Sequence, residues 1–288
     1  MFNKGNELLQ LCNEKNKKIS EIVIKKEMED NEISYEQLME NMKLVLDTML
    51  SSAKTALDQE IISVSKLTGG DAKKVEDYKN SGKSICGELI NSAMARALST
   101  SEVNASMGRI VAAPTAGASG ILPSAIISVA EKYNLSEKDM IHGLFTAGGV
   151  GEIIAKNATI SGAEGGCQAE CGSAAAMASA AIVEMLGGSP ETSLHAASFA
   201  LLNIMGLVCD PMAGLVEFPC ALRNASGVIN AMVSADLALA GVKSMVPFDE
   251  VVGAMYKVGK AMPESLKETA LGGVAATPTG EEIKRRVL

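Results

Sequence analysis

Glycine and proline are distributed very unevenly along this sequence, and that distribution constrains the fold more than any other feature. Neither residue occurs between Asn6 and Thr68, whereas eleven of the 65 residues in 108–172 are glycine. These glycines fall in short runs, each of which we expect to form a turn: PTAGASG (114–120), GGVG (148–151) and SGAEGGC (161–167). No series of β-branched segments occurs at regular spacing, which disfavours a sheet. We predict a mainly α fold in which helical stretches such as 123–133 and 173–186 alternate with Gly-rich loops that bring helix N-termini together.

The part without glycine and proline carries apolar residues at helical spacing. Four of them fall on one face of a predicted helix: Leu38, Met42, Val45 and Met49. Ser34, followed by Gln37 three residues later, is typical of a capping box that opens this helix. We expect a single domain over 1–288, with a Gly- and Pro-poor helical part at 1–106 and a Gly-rich part that carries the chemistry at 107–280.

The composition is that of a globular protein, with 47% hydrophobic and 21% charged residues. Aromatic residues make up only 3%, while glycine (27) and methionine (16) are plentiful, so small side chains are expected to let helices pack closely. The net charge of -8 argues against a nucleic-acid partner. The N-terminal segment has no apolar region typical of a signal peptide, and turn or polar residues interrupt the charge-free stretches 111–130 and 192–209. We expect a cytoplasmic protein without membrane spans.

Six cysteines in a chain expected to be cytoplasmic do not indicate a disulfide framework. Cys12 and Cys86 are interpreted as structural or incidental. The other four lie beside turn residues, where a thiolate can face a cleft: Cys167, Cys171, Cys209 and Cys220. Their spacing, C-x3-C, 37 residues and then C-x10-C, matches neither a zinc ribbon nor a ferredoxin run. From the residues alone, metal, cluster and catalytic roles stay open beside that of buried apolar thiols.

Two further features could carry chemistry. The PTAGASG loop offers backbone N–H groups and the hydroxyls of Thr115 and Ser119, a combination that suits a carboxylate or phosphate. It lacks the lysine of a nucleotide-binding loop and the spacing of a dinucleotide fingerprint, and close helix packing explains its glycines equally well. The chain has two histidines, His142 and His195. A reaction that needs a histidine base must use one of these or borrow one from another chain.

Four longer segments, taken together, are similar to one known family: APTAGASGILPS (113–124), NATISGAEGGCQAECG (157–172), GLVCDPMAGLVEFPCALRNA (206–225) and ALGGVAATPTG (270–280). They closely resemble the α chain of the iron–sulfur, pyridoxal-independent L-serine dehydratases. The resemblance runs from about residue 18 to residue 280. The combination of ISGAE-x-GCQ with CDP-x-AG-x-V-x-x-PC is highly specific.

The resemblance implies that three cysteines hold a [4Fe–4S] cluster, and by motif these are Cys167, Cys209 and Cys220. Cys171 stands where other members have different residues, so it is left out of the ligand set. Three thiolates leave one iron open to act as a Lewis acid on the substrate's carboxylate and β-hydroxyl. A base removes the α-proton, water is lost, and the resulting aminoacrylate becomes pyruvate and ammonia. Serine breakdown of this kind feeds gluconeogenesis or fermentation.

We expect L-serine to be bound by residues of the 114–120 loop and by residues that flank the first cysteine: Thr115, Gly117, Ser119, Gly120, Asn157, Ser161 and Gln168. The family's SSSHT-x-GP motif, thought to supply a serine cluster and the histidine base, is absent from this sequence. In two-chain members that motif belongs to the β chain. The resemblance therefore implies a β partner that supplies the base, with His142 and His195 as fallback bases. Some single-chain members end in a cysteine that can cap the open iron, and this chain, which ends KRRVL, is expected to lack that capping.

Three alternatives stay open at this point. The first is a member of the same family that acts on another amino acid, such as threonine or cysteine. The second is a pyridoxal enzyme with a lysine such as Lys156 as its Schiff base. The third is a non-catalytic iron–sulfur sensor or scaffold protein.

Overall fold

The computed structural model describes residues 2–288 and confirms the prediction of a mainly α fold. No strand occurs in these residues, and pairing of the strand type is limited to two isolated bridges, Ile62–Gly69 and Cys209–Lys267. The α-helices are α1 (Gly5–Lys15), α2 (Ile19–Asn31), α3 (Tyr35–Thr55), α4 (Asp71–Asn80), α5 (Gly87–Ala105), α6 (Ile121–Tyr133), α7 (Glu137–Asn157), α8 (Gly162–Gly165), α9 (Ser173–Met185), α10 (Pro190–Asn203), α11 (Cys220–Leu239), α12 (Phe248–Ala261) and α13 (Pro278–Val287). Short 3-10 turns occupy Ala116–Ala118, Met212–Gly214, Glu264–Leu266 and Gly273–Ala276, and a π-helical turn occupies Gln168–Gly172.

Helix α9 is the centre of the fold. Every residue from 173 to 184 is buried, and the helix contacts α6, α7, α10 and α11. Its alanines let neighbouring helices approach closely. On α7, a Cβ at Gly143 would lie 2.7 Å from Met185 Sδ, and one at Gly151 would lie 2.9 Å from Met177 Sδ. Small residues on both helices therefore set the distance between α7 and α9, as the composition predicts.

The prediction that GGVG forms a turn was wrong, because Gly148–Gly151 lies inside α7. Two of its glycines are sites of close packing. A Cβ at Gly149 would lie 2.5 Å from a methyl group of Val23 on α2, and Gly151 faces α9 as described above. Packing against neighbouring helices here outweighs the low helix propensity of glycine.

The predicted helix of the Gly-free part is α3. Ser34 is its N-cap, and the Ser34 hydroxyl accepts a hydrogen bond from the Gln37 N–H at 3.2 Å. The Gln37 side chain does not complete a capping box, since its amide oxygen accepts no hydrogen bond from the Ser34 N–H, and its Nε2 donates to Asn41 Oδ1 at 3.1 Å. Leu38 and Met49 are buried on the inner face of the helix.

Both compositional parts contribute to one buried apolar core, which extends from Phe2 and Leu46 to Ala175 and Met255. That the chain forms a single domain over 1–288 stays a prediction. Among residues 2–288, no helix combines the length and apolar character needed to cross a bilayer.

Candidate functional site

Four buried thiols define the candidate site, and they come from three separate segments of the chain. Cys167 follows α8, Cys171 lies in the π-helical turn that leads into α9, Cys209 lies in the loop after α10, and Cys220 is the first residue of α11. All four are buried and free of disulfides. The Sγ atoms of Cys167 and Cys171 are 3.3 Å apart. We call these four side chains the thiol site.

Arg223 connects the segments that carry Cys209 and Cys220. It lies one turn into α11 from Cys220. Its Nη1 donates to the backbone carbonyl of Val208 at 2.8 Å and its Nη2 donates to the side chain of Asp210, at Oδ1, at 2.6 Å, so it holds the residues on both sides of Cys209. The charge of the guanidinium also helps to lower the pKa of Cys167. One side chain therefore links the first turn of α11 to the loop of Cys209.

The other oxygen of Asp210 extends this connection to the 270–276 segment. Asp210 Oδ2 accepts a hydrogen bond from Val274 N at 2.7 Å. The preceding residue, Gly273, has a φ of +60°, and a Cβ there would lie 2.1 Å from Asp210 Oδ2. A side chain at position 273 is therefore excluded by both backbone conformation and space. The loop formed by the ALGGVAATPTG motif therefore packs directly against Asp210.

Asn224 attaches the PTAGASG loop to α11. Its Oδ1 accepts a hydrogen bond from Gly120 N at 2.9 Å, and its Nδ2 donates to Gly117 O at 2.6 Å and to Cys220 O at 2.9 Å. The side chain is almost completely buried. Because these bonds use both ends of the amide, the loop is fixed beside the first turn of α11, where Cys220 lies.

Glu170 places a carboxylate between two Gly-rich loops, 114–120 and 161–167. Its Oε1 accepts a hydrogen bond from Thr115 Oγ1 at 2.8 Å. Its Oε2 lies 2.8 Å from the position that a Cβ would take at Gly162, and that same position is 2.9 Å from Cys209 Sγ. Burial raises the pKa of Glu170, and the Thr115 hydrogen bond opposes that rise.

The thiols differ in how readily they ionise. A hydrogen bond from the Cys171 thiol, supported by the charge of Arg223, lowers the pKa of Cys167 although the residue is buried. The pKa of Cys171 is raised, because this pair favours the thiolate on Cys167 and because Cys171 is fully buried. Burial and the negative charge of Cys167 raise the pKa of Cys220 to about 12 and also raise that of Cys209. In the metal-free chain, Cys167 is therefore the thiol most readily deprotonated.

The remaining residues predicted to bind substrate take different positions. Ser119 is buried and donates its hydroxyl to Ala116 O at 2.8 Å within its own loop. Gln168 is buried, and its amide bonds Gly165 O, Met255 O and Gly206 N. Asn157 is exposed at the end of α7 and donates to Asn3 O and Ile153 O. Ser161 is half-buried and precedes Gly162 as the N-cap of α8.

Both histidines lie away from the thiol site. His142 lines a cavity of 330 Å³ with Glu184, at the end of α9 opposite Cys171. Cys171 and Glu184 are 13 positions apart, which corresponds to about 20 Å at the helical rise of about 1.5 Å per residue. His195 lies in the first half of α10, where its Nδ1 accepts a hydrogen bond from Ser244 N at 3.3 Å. Ser244 follows the C-terminal end of α11, whereas Cys220 is the first residue of that helix.

Lys156, the Schiff-base alternative, is exposed near the end of α7. Its Nζ forms an ion pair with Glu152 Oε1 at 2.6 Å. A lysine that forms a Schiff base is activated by a desolvated pocket or by a neighbouring cation. The surroundings of Lys156 do not favour that role.

Sequence reasoning missed four residues of this site: Glu170, Asp210, Arg223 and Asn224. All four stand inside the segments that carried the family resemblance, one to four residues from a cysteine. That proximity was the available signal. A charged or amide side chain beside a buried thiol in a largely apolar segment needs a partner, and the partners are other parts of the same site.

The fold and the site together define a helical protein with a buried thiol site assembled from three chain segments. The profile of the family "Serine dehydratase alpha chain" matches residues 14–275. The chain belongs to this family. It is 54% identical over 288 residues to "L-serine dehydratase, alpha chain" of Peptoniphilus asaccharolyticus, and this match covers 100% of this chain and 99% of that relative.

Two further relatives show how the match extends. "Probable L-serine dehydratase, alpha chain" of Bacillus subtilis is 50% identical over 287 residues, with 100% of this chain and 95% of the relative covered. "L-serine dehydratase" of Helicobacter pylori is 36% identical over 282 residues, which are 96% of this chain but only 62% of that relative. The Helicobacter relative therefore contains a substantial part that has no counterpart in this chain.

Proposed function

We propose that this chain is the α component of an L-serine dehydratase, an ammonia-lyase that converts L-serine to pyruvate and ammonia. One observation carries the proposal. The three cysteines that the family resemblance names, Cys167, Cys209 and Cys220, come from separate segments, yet all are buried and free of disulfides, and Arg223 bonds the loop of Cys209 to the helix that begins at Cys220. Full-length relatives at 54% and 50% identity bear the corresponding names.

We propose further that Cys167, Cys209 and Cys220 hold a [4Fe–4S] cluster. Buried thiols that are free of disulfides are the donors such clusters take. No three Cys, His, Asp or Glu side chains of residues 2–288 are close enough to enclose a single metal ion. A cubane bonds each thiolate to a different iron, so its ligands are farther apart than those of one ion. When bound with three thiolate ligands, the cluster supplies an open iron that acts as a Lewis acid on the β-hydroxyl.

The chain's own residues prepare the site for the cluster. Ligating cysteines must be deprotonated, and burial keeps most of these thiols protonated without metal. Arg223 supplies a positive charge beside Cys167, where the first thiolate forms. Cys171 lies next to Cys167, and we propose that its thiol stays protonated and donates a hydrogen bond to that ligand rather than coordinating iron.

Substrate binding by the predicted residues is also a proposal. Thr115, Gly117 and Ser161 receive the most support, since they border the carboxylate of Glu170 and the Gly162 backbone. Ser119, Gly120 and Gln168 use their hydrogen-bonding groups within the chain and would act by shaping the loops. The test for Ser119 is Ser119→Ala, whose KM for L-serine rises if Ser119 binds the substrate carboxylate and stays unchanged if it does not.

The α-proton must be removed by a base, and we propose that a second polypeptide supplies it. His142 and His195 are remote from the thiols. The Helicobacter relative is longer than this chain by a part outside the match, and the names of two relatives specify an α chain. These points favour a β partner with the SSSHT motif and, by the same family inference, a cytoplasmic enzyme that feeds pyruvate into central metabolism.

The proposal is tested by anaerobic purification of this chain with and without the β partner. Iron and sulfide are quantified, and pyruvate is assayed from L-serine, L-threonine and L-cysteine. We expect about four irons per chain, loss of iron in Cys167→Ala, Cys209→Ala and Cys220→Ala, and activity only in the pair. Cys86→Ala, which changes an exposed cysteine, is the matched control and should keep its iron.

Other results would contradict defined parts of the proposal. An iron-free protein under careful anaerobiosis rejects the cluster. Faster turnover of threonine or cysteine than of serine identifies a relative with another substrate. A cluster and a stable pair without turnover of any of the three amino acids favours a sensor or scaffold protein.

A further inference from the structure

The carboxylate of Glu170 lies between the two Gly-rich loops that border the thiol site. It is in the π-helical turn between Cys167 and Cys171. A Cβ at Gly117 would lie 3.2 and 3.3 Å from its two oxygens, and one at Gly162 would lie 2.8 Å from Oε2. Two Gly-rich loops therefore leave room for this one side chain, and the Thr115 hydroxyl orients it.

The carboxyl group of Glu170 has no counter-charge among residues 2–288. Within residues 2–288 the carboxylate forms no ion pair, and its one side-chain partner is the neutral Thr115 hydroxyl. Arg223, which lies at the thiol site, is bonded to Asp210 and Val208. A largely buried carboxylate without a cation is costly, which is why burial raises the pKa of Glu170, and a positively charged ligand group would offset that cost and favour the ionised form.

A second carboxylate strengthens this conclusion. The negative charge of Glu268 acts on Glu170 and raises the pKa of Glu170 further. A ligand carboxylate placed on the PTAGASG loop would face Glu170 and be repelled, whereas an ammonium group would be attracted.

We propose that Glu170 binds the α-ammonium group of the amino-acid substrate, with Thr115 as the residue that positions it. This inference rests on the proposed function and names the group that recognises an amino acid rather than a hydroxy acid. It changes the role expected for the PTAGASG loop, which supports an acidic side chain of the protein instead of binding the substrate's carboxylate. Anchoring the ammonium at Glu170 leaves the carboxylate and the β-hydroxyl of the same carbon skeleton free to face the thiols.

The test compares two unreactive ligands that differ in the ammonium group. D-serine keeps it, and 3-hydroxypropionate is serine without it. Binding of each to the anaerobic complex of this chain with its β partner is measured by isothermal titration calorimetry, for the wild type and Glu170→Gln. We expect Glu170→Gln to weaken D-serine binding at least about tenfold, because a charge-assisted hydrogen bond is lost. Binding of 3-hydroxypropionate should be unchanged or tighter.

Two further variants keep the result interpretable. Thr115→Val leaves the carboxylate but removes its hydrogen bond, so it should weaken D-serine binding by a smaller factor in the same direction. Glu184→Gln is the matched control, a buried glutamate at the far end of α9, and should leave both affinities unchanged. If Glu170→Gln does not fold, Thr115→Val still tests the inference.

Three outcomes overturn the inference. Equal weakening of both ligands in Glu170→Gln shows a structural role. No change in D-serine binding shows that the ammonium group lies elsewhere. Loss of iron and sulfide in Glu170→Gln, with the wild type fully loaded, shows that Glu170 serves the metal. A wild-type complex that makes no pyruvate from L-serine contradicts the proposed function itself, so the two failures are distinguishable.

Discussion

Replacing Arg223 by methionine should destabilise the metal-free chain strongly. Its partner Asp210 has a side chain only 3% exposed, against 15% for Arg223, and the two are 2.6 Å apart. Removing one member of a buried ion pair leaves the other charge uncompensated, which costs about 3–5 kcal/mol. Asp210 keeps its hydrogen bond from Val274 N, and the partial exposure of Arg223 shows that water can approach the pair. We therefore expect a loss near the lower end, about 3 kcal/mol.

The measurement is urea denaturation followed by circular dichroism, with midpoints compared at an unchanged denaturant slope. The double variant Arg223→Met with Asp210→Asn removes both charges and should recover part of the loss seen in Arg223→Met. The control is Lys25→Met, which breaks an exposed ion pair with Glu29 and should change stability by less than about 0.5 kcal/mol. Two results would show that the Arg223–Asp210 ion pair does not stabilise the chain. One is a stability loss in Arg223→Met no larger than in Lys25→Met, and the other is a loss in the double variant equal to the sum of the losses in Arg223→Met and Asp210→Asn.

Two other predictions concern packing and pH. Gly162→Ala should displace Glu170 or Cys209, because the added Cβ would lie within 2.9 Å of both side chains. We expect less iron per chain and a loss of about 1–3 kcal/mol in the free energy of unfolding. The control is Gly148→Ala inside α7, whose added Cβ meets no atom within 4 Å and which should stabilise the chain by up to about 1 kcal/mol. Equal effects of the two alanines would contradict the steric argument. Burial raises the pKa of Glu102 in the folded chain, so the folded state binds more protons than the unfolded state, and stability should fall as pH rises above the usual Glu value of about 4.3. Unfolding free energies of the wild type and Glu102→Gln, measured across that acidic range, should show the wild type losing its advantage with rising pH; a growing advantage would reverse the sign of the shift.

The helices themselves could be predicted because their causes are local. Ser34 caps α3 where the sequence places a capping residue, and the Ala-rich stretch after residue 173 forms α9. The error at Gly148–Gly151 has a different cause. Whether a glycine ends a helix or lets another helix approach it depends on the neighbour, here Val23 and Met177, and no local pattern contains that neighbour.

The site could be predicted only in part, for the same reason. The motifs named the cysteines, but their meeting depends on α9 and α11 packing against each other, a contact between segments about 50 residues apart. Arg223 and Asp210 stand near cysteines in the sequence, so their proximity to the site was available. Their mutual bond was not, since it requires the loop at 208–210 to lie across the first turn of α11.

A Gly-rich loop at a helix N-terminus has two physical uses that are identical in sequence. Its free N–H groups can bind an external anion, or its missing side chains can leave space for an acidic group of the protein itself. In this chain Gly117 and Gly162 face the oxygens of Glu170, and Thr115 donates to that carboxylate rather than to open space. The space between the two loops is therefore occupied by an acidic side chain of the protein itself. Because no cation of residues 2–288 forms an ion pair with that carboxylate, a positively charged ligand group would be attracted there, and an α-amino acid supplies such a group while a hydroxy acid does not.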